Sequence, residues 1–118
     1  MREILFRGKA IDGNWYYGVP LVFTEDYVCI TAPHTNNKKV EANTIGQYTG
    51  LTDKNGIKIF EGDIVAFWEN KYVIEWKADR VGFGYGRRAD RMLEIDGKHC
   101  EVIGNIHDNP EFLKGGKG

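Results

Sequence analysis

Apolar residues in this chain come in short runs, and most runs stop at a glycine or at an Asp-Gly or Asn-Gly pair. Few windows hold the period of an amphipathic helix, so the repeating unit is a strand followed by a tight turn. Asp12-Gly13, Asn55-Gly56 within Asp53-Lys54-Asn55-Gly56, and Asp96-Gly97 are hairpin turns, because Gly tolerates positive φ freely and Asn and Asp readily. Glu61-Gly62-Asp63 turns one strand sharply into the next. Strands are expected over 3–8, 15–23, 27–30, 45–48, 57–60 and 64–68. Tyr72, Ile74 and Trp76 alternate with polar neighbours and form one buried face. Phe83 and Tyr85 alternate with Gly82, Gly84 and Gly86, the pattern of a bent or bulged strand. Residues 92–95 and 99–106 should form a final hairpin about Asp96-Gly97. The polar stretch 33–43 reads as an exposed loop. Asn109-Pro110-Glu111 supplies an N-cap, a first-turn proline and a first-turn acid, enough for one helical turn. The expected fold is mainly β: a small barrel-like, SH3-like domain of several hairpins with one or two short helical turns.

A chain of 118 residues is long enough for one core without metal or disulfide staples. It reads as a single domain over 1–114 with a flexible tail at 115–118. Sixteen basic residues against seventeen acidic ones give no bulk attraction to nucleic acid or to an anionic membrane, so either partner needs a local patch. Cys29 and Cys100 are too few for a disulfide scaffold and read as reduced, buried hydrophobes. The N-terminus holds no apolar stretch of signal-peptide length, and no run is long enough to span a bilayer. The expected location is the cytoplasm of a bacterial host, with no membrane partner.

Three blocks are specific enough to compare with known families. The first is Met1-Arg2-Glu3-Ile4-Leu5-Phe6-Arg7-Gly8-Lys9 with Trp15-Tyr16-Tyr17-Gly18. The second runs from Ile45-Gly46-Gln47-Tyr48-Thr49-Gly50-Leu51-Thr52 through Asp53-Lys54-Asn55-Gly56 to Ile59-Phe60-Glu61-Gly62-Asp63-Ile64-Val65. The third is Val102-Ile103-Gly104-Asn105-Ile106-His107-Asp108-Asn109-Pro110-Glu111. Together they resemble the YopX family of phage and prophage proteins, in which the position of His107 is often Tyr. The resemblance implies an accessory product of phages and prophages of low-GC Gram-positive hosts, and no catalytic residues to carry over. The blocks also have an explanation that needs no ligand. Their glycines suit turns, Asp63 can accept backbone N–H bonds, and Phe60, Ile64 and Val65 face a core.

The candidate functional residues fall into three groups. Trp15-Tyr16-Tyr17 must turn at least one aromatic outward on a strand, and Phe67-Trp68 poses the same problem. Trp15, Tyr17 and Trp68 are therefore the candidate protein interface, with the 33–43 segment as a possible cover. The expected function is a non-catalytic, self-assembling or protein-interaction module, whose partner is a second copy or a phage or host protein. The alternative is weak nucleic-acid binding by Lys77, Arg80, Phe83, Tyr85, Arg87, Arg88 and Arg91, where cations and stacking surface occur together. Against it, the segment also reads as a solvated loop, and Val81 stands where an RNA-recognition core wants a cation. The least favoured alternative is a small hydrolase. The chain contains no serine, a Cys29–His99 pair would need the fold to assemble it, and Glu61 with Asp63 reads as a turn. No metal is expected, because His99 and Cys100 are adjacent and Cys29 and His34 lack partners at a standard spacing. No cofactor is expected either.

Overall fold

The computed structural model describes residues 5–31, 37–67, 70–77, 82–85, 91–92 and 99–113. The fold is mainly β, as expected: the described residues form antiparallel strands joined by turns, with 3-10 turns at Ala42–Thr44 and Pro110–Leu113. They do not close into a barrel. Two compact units divide the chain, Met1–Tyr48 and Thr49–Gly118.

The first unit is a meander of β1 (Phe6–Lys9), β2 (Trp15–Phe23), β3 (Tyr27–Thr31) and β4 (Lys38–Glu41). After the 3-10 turn, β5 (Gly46–Thr52) returns to pair with β1, Phe6 opposite Gln47 and Arg7 opposite Gly46. The β1–β2 turn forms as its letters predict. Gly13 takes φ 90° and donates to Ala10 O, and Asp12 Oδ1 accepts the Asn14 N–H at 2.9 Å. Ala10, Val28, Ile30 and Val40 form the core, with Tyr16, Ala42 and Ile45 packed against it. Thr44 Oγ1 accepts the Lys9 N–H at 2.8 Å and donates to Glu41 O at 2.6 Å, tying the end of β1 to the turn after β4.

The stretch 33–43 is not a loop throughout. Residues 38–41 pair with β3, Val28 opposite Val40 and Cys29 opposite Lys39, and the chain then enters the 3-10 turn. A single side chain, Val40, is fully buried in this strand, and one apolar residue among charges gives no alternation to read.

The second unit begins within β5 and continues through β6 (Lys58–Phe60), β7 (Asp63–Phe67), β8 (Asn70–Val73) and β9 (Glu75–Lys77). It ends with β10 (Gly82–Tyr85), β11 (Arg91–Met92) and β12 (Glu101–Asn105). The strands after β6 form two sheets of order β12-β7-β8 and β11-β10-β9. Ile59, Val65, Phe67, Ile74 and Cys100 make the core, with Leu51, Tyr72 and Val102 beside it. Each such aliphatic burial contributes on the order of 1.5–3 kcal/mol. Phe60, Ile64 and Val65 are buried, as the sequence predicts.

One expectation reaches beyond the described residues and one changes. Residues 93–98, and with them the Asp96-Gly97 turn of the expected final hairpin, lie outside the described residues; Met92 in β11 pairs with β10, and β12 pairs with β7. Local turn chemistry names a bend but not the strand that lies beside it. The alternating stretch 72–76 is two strands, broken at Ile74, whose N–H bonds Asp63 O and whose carbonyl accepts from Gly62 N.

Candidate interaction surface

The polar residues of the family-like blocks face inward and serve the backbone. Asp53 is buried, and its Oδ1 accepts from Asn55 N at 2.8 Å and Ile57 N at 2.9 Å, while Oδ2 accepts from Val102 N at 2.8 Å. One carboxylate thus shapes the Asn55-Gly56 turn and fastens it to β12. Asp63 Oδ2 accepts the Phe60 N–H at 2.7 Å across the Glu61-Gly62 turn, where Gly62 takes φ 91°. Asn105 Oδ1 accepts from His107 N and Asp108 N, both at 2.9 Å, and shapes the turn into the last 3-10 segment. Buried polar groups need partners of this kind. Asp63, considered with Glu61 as a carboxylate pair, is a turn-forming residue.

Among the described residues apolar side chains are exposed chiefly on the β2–β3 hairpin. Tyr17, Val19, Leu21, Phe23 and Tyr27 are all exposed there, Leu21 by 56% and Phe23 by 66%. A register shift between Pro20 and Val22 inserts Leu21 as an extra residue, which re-aims the end of β2. Tyr17 and Val19 lie on the sheet face opposite the core, while Phe23 stands across from Val28 at the turn end of the hairpin.

Of the predicted interface residues, Tyr17 is exposed. Trp15 is half-buried, with the Arg7 guanidinium 4.8 Å from its ring centroid. Trp68 lies outside the described residues, as do Arg80, Arg87, Arg88 and His34. The 77–91 segment, whose sequence also suits a solvated loop, contains β10, paired on both sides: Phe83 lies opposite Trp76, Gly82 opposite Lys77 and Tyr85 opposite Arg91. Lys77, Phe83, Tyr85 and Arg91 therefore stand on three adjacent strands. Cys29 is half-buried and Cys100 fully buried, neither in a disulfide, and His99 is exposed. Among the described residues, no group of three or more His, Cys, Asp and Glu is placed to hold a metal ion. Nor is any helix among them long and apolar enough to cross a membrane.

Sequence reasoning missed a basic feature on β4. Lys38 Nζ lies 5.4 Å from the Tyr16 ring centroid and Lys39 Nζ 3.9 Å from that of Tyr27. Beside them an open cleft of about 300 Å³ runs between β4 and the β1–β2 turn, lined in part by Asp12, Tyr16, Tyr27, Lys38 and Glu41. The signal available was Lys38-Lys39-Val40-Glu41 itself, a pair of lysines inside the stretch that reads as an exposed loop.

The sequence profile of the YopX protein family matches residues 5–114, nearly the whole chain. The chain belongs to the YopX family. A solved structure similar to it is the crystal structure of protein EF1440 from Enterococcus faecalis, with a TM-score of 0.63 at 24% identity. The match covers 97% of this chain and 100% of that one. A likeness at that identity shows the fold of this YopX-family chain. Curated proteins give no match.

Proposed function

We propose that this YopX-family protein is a phage- or prophage-derived accessory factor that works in the host cytoplasm without chemistry, as a self-associating module. The observation that carries this reading is the exposed apolar rim of the β2–β3 hairpin, Tyr17, Val19, Leu21 and Phe23. These side chains offer on the order of 400 Å² of apolar surface, roughly half of one partner's share of a standard interface. The occupant we assign is a second copy. A formal net charge of -1 sets little repulsion between copies, and one patch meeting itself across a two-fold is the commonest oligomer contact. The engagement of Asp53, Asp63 and Asn105 with backbone amides supports the same reading, because it accounts for the family blocks without a substrate. We also read the first unit as an SH3-like arrangement, supported by its four-strand meander, its 3-10 turn and the return of β5 to β1.

Sedimentation equilibrium tests the proposal. The wild-type chain is expected to associate reversibly, and Leu21→Glu to weaken that association at least tenfold. Identical behaviour of the two would remove the hairpin rim as the contact.

The β9–β10–β11 sheet supports a second reading, weak nucleic-acid binding, by bringing Lys77, Phe83, Tyr85 and Arg91 onto neighbouring strands. Fluorescence anisotropy with single-stranded DNA and RNA tests it. Binding that collapses with added salt and with Arg87→Glu/Arg88→Glu supports it, and no binding at low salt removes it.

A further inference from the structure

Among the described residues strand β4 ends its sheet, so one side of its backbone pairs with β3 and the other meets no described strand. The register decides which groups lie on the open side. Ala42 N donates to Asp26 O, so the pairs 26–42, 28–40 and 30–38 exchange hydrogen bonds with β3. Lys39 and Glu41 alternate with them and direct their N–H and C=O groups away from β3. Among the described residues no backbone bond is made by Lys39 N, Lys39 O or Glu41 N, and Glu41 O accepts only from the Thr44 hydroxyl. The side chains of Lys39 and Glu41 share the outer face of the sheet, whereas Val40 between them is fully buried.

We propose that this edge pairs with β4 of a second copy of the chain, antiparallel, about a two-fold axis at Val40. The inference rests on the self-association reading and names a separate surface for it. A hydrogen-bonded antiparallel register must set the open residues, 39 and 41, opposite residues 39 and 41 of the other copy. Centring the axis on Lys39 puts lysine against lysine, and centring it on Glu41 puts glutamate against glutamate. Both place like charges directly opposite, which is destabilising. Centring it on Val40 sets Lys39 opposite Glu41 of the second copy, twice, with Cα atoms about 5.5 Å apart and backbone bonds exchanged within each pair. Val40 stays in the core of its own copy. Lysines on a sheet edge deter an arbitrary strand. They do not deter one that brings a carboxylate to face them, so the strand selects its own copy.

The test is a charge-swap cycle on the full chain, read by sedimentation equilibrium at low and high salt, with thermal melts to confirm folding. K39E and E41K are each expected to weaken association at least tenfold, since each sets two like-charged pairs across the axis. The double variant K39E/E41K restores opposite charges and is expected to return within threefold of wild type. The wild-type association should also weaken as salt is raised, because the pairs are exposed. A wild-type chain that stays monomeric up to about millimolar concentration overturns both this inference and the self-association reading. Single variants that associate like wild type overturn the edge contact, as does a folded double variant that is not restored. Leu21→Glu in the same series separates the two surfaces. Loss with Leu21→Glu alone leaves the hairpin rim standing and removes the edge, and loss with K39E alone does the reverse.

Discussion

Asp53 in the second unit is 4% exposed, whereas Leu21 in the first is 56% exposed. A carboxylate lies inside and an aliphatic side chain lies in water, the reverse of what transfer free energies favour. The carboxylate is compensated within its own unit, because three backbone N–H groups surround it. Leu21 stays more than half exposed in the single chain, and Tyr17, Val19 and Phe23 beside it are exposed too. One inversion is therefore a folding device. The other is the exposed apolar rim on which the proposed self-association rests, and it lies on the β2–β3 hairpin rather than in the motif-rich turns.

The comparison can be broken first at Asp53. Asp53→Ala strips the acceptor from three backbone donors and is expected to cost about 3–5 kcal/mol, read as a large fall in melting temperature. Asp53→Asn should cost less, since one acceptor oxygen remains while the amide NH2 faces a donor. A melt of Asp53→Ala that overlays wild type would mean that the carboxylate does not hold the turn to β12. Asn105→Ala removes the acceptor of the His107 and Asp108 amides at a site closer to solvent, with an expected loss of about 2 kcal/mol in urea unfolding. Gly62→Ala forces a side chain into the left-handed region and should cost about 1–2 kcal/mol by the same assay. At the small end, Leu21→Glu is expected to shift stability by less than about 0.5 kcal/mol while weakening association. A large loss of stability there would place Leu21 in the fold of the single chain and erase the contrast.

Much of the local architecture was legible in the letters. Asp12-Gly13 and Asp53-Lys54-Asn55-Gly56 turn where expected, with positive φ at Gly13 and Gly56. The run 15–23 is one strand. Glu61-Gly62-Asp63 uses its short acid on a backbone amide. Each of these depends on the conformational limits of a few adjacent residues, so adjacent residues suffice to announce it. Of the interface candidates, Tyr17 was readable from strand alternation, but the half-burial of Trp15 under Arg7 was not.

What the tertiary structure decided is pairing. Nothing near Asp53 indicates that its second oxygen reaches Val102, 49 positions away. Nothing near Met92 indicates that β11 joins β10 while β12 joins β7. Strand β4 carries one buried residue among charges, and only the ladder to β3 makes it a strand and fixes which of its amides face outward. The sequence by itself determined where the chain turns, because backbone dihedral preference is a property of single residues and their neighbours. The structure alone decided which strands meet and which edge is left open, because that choice depends on burial and hydrogen bonding summed over segments far apart in the chain.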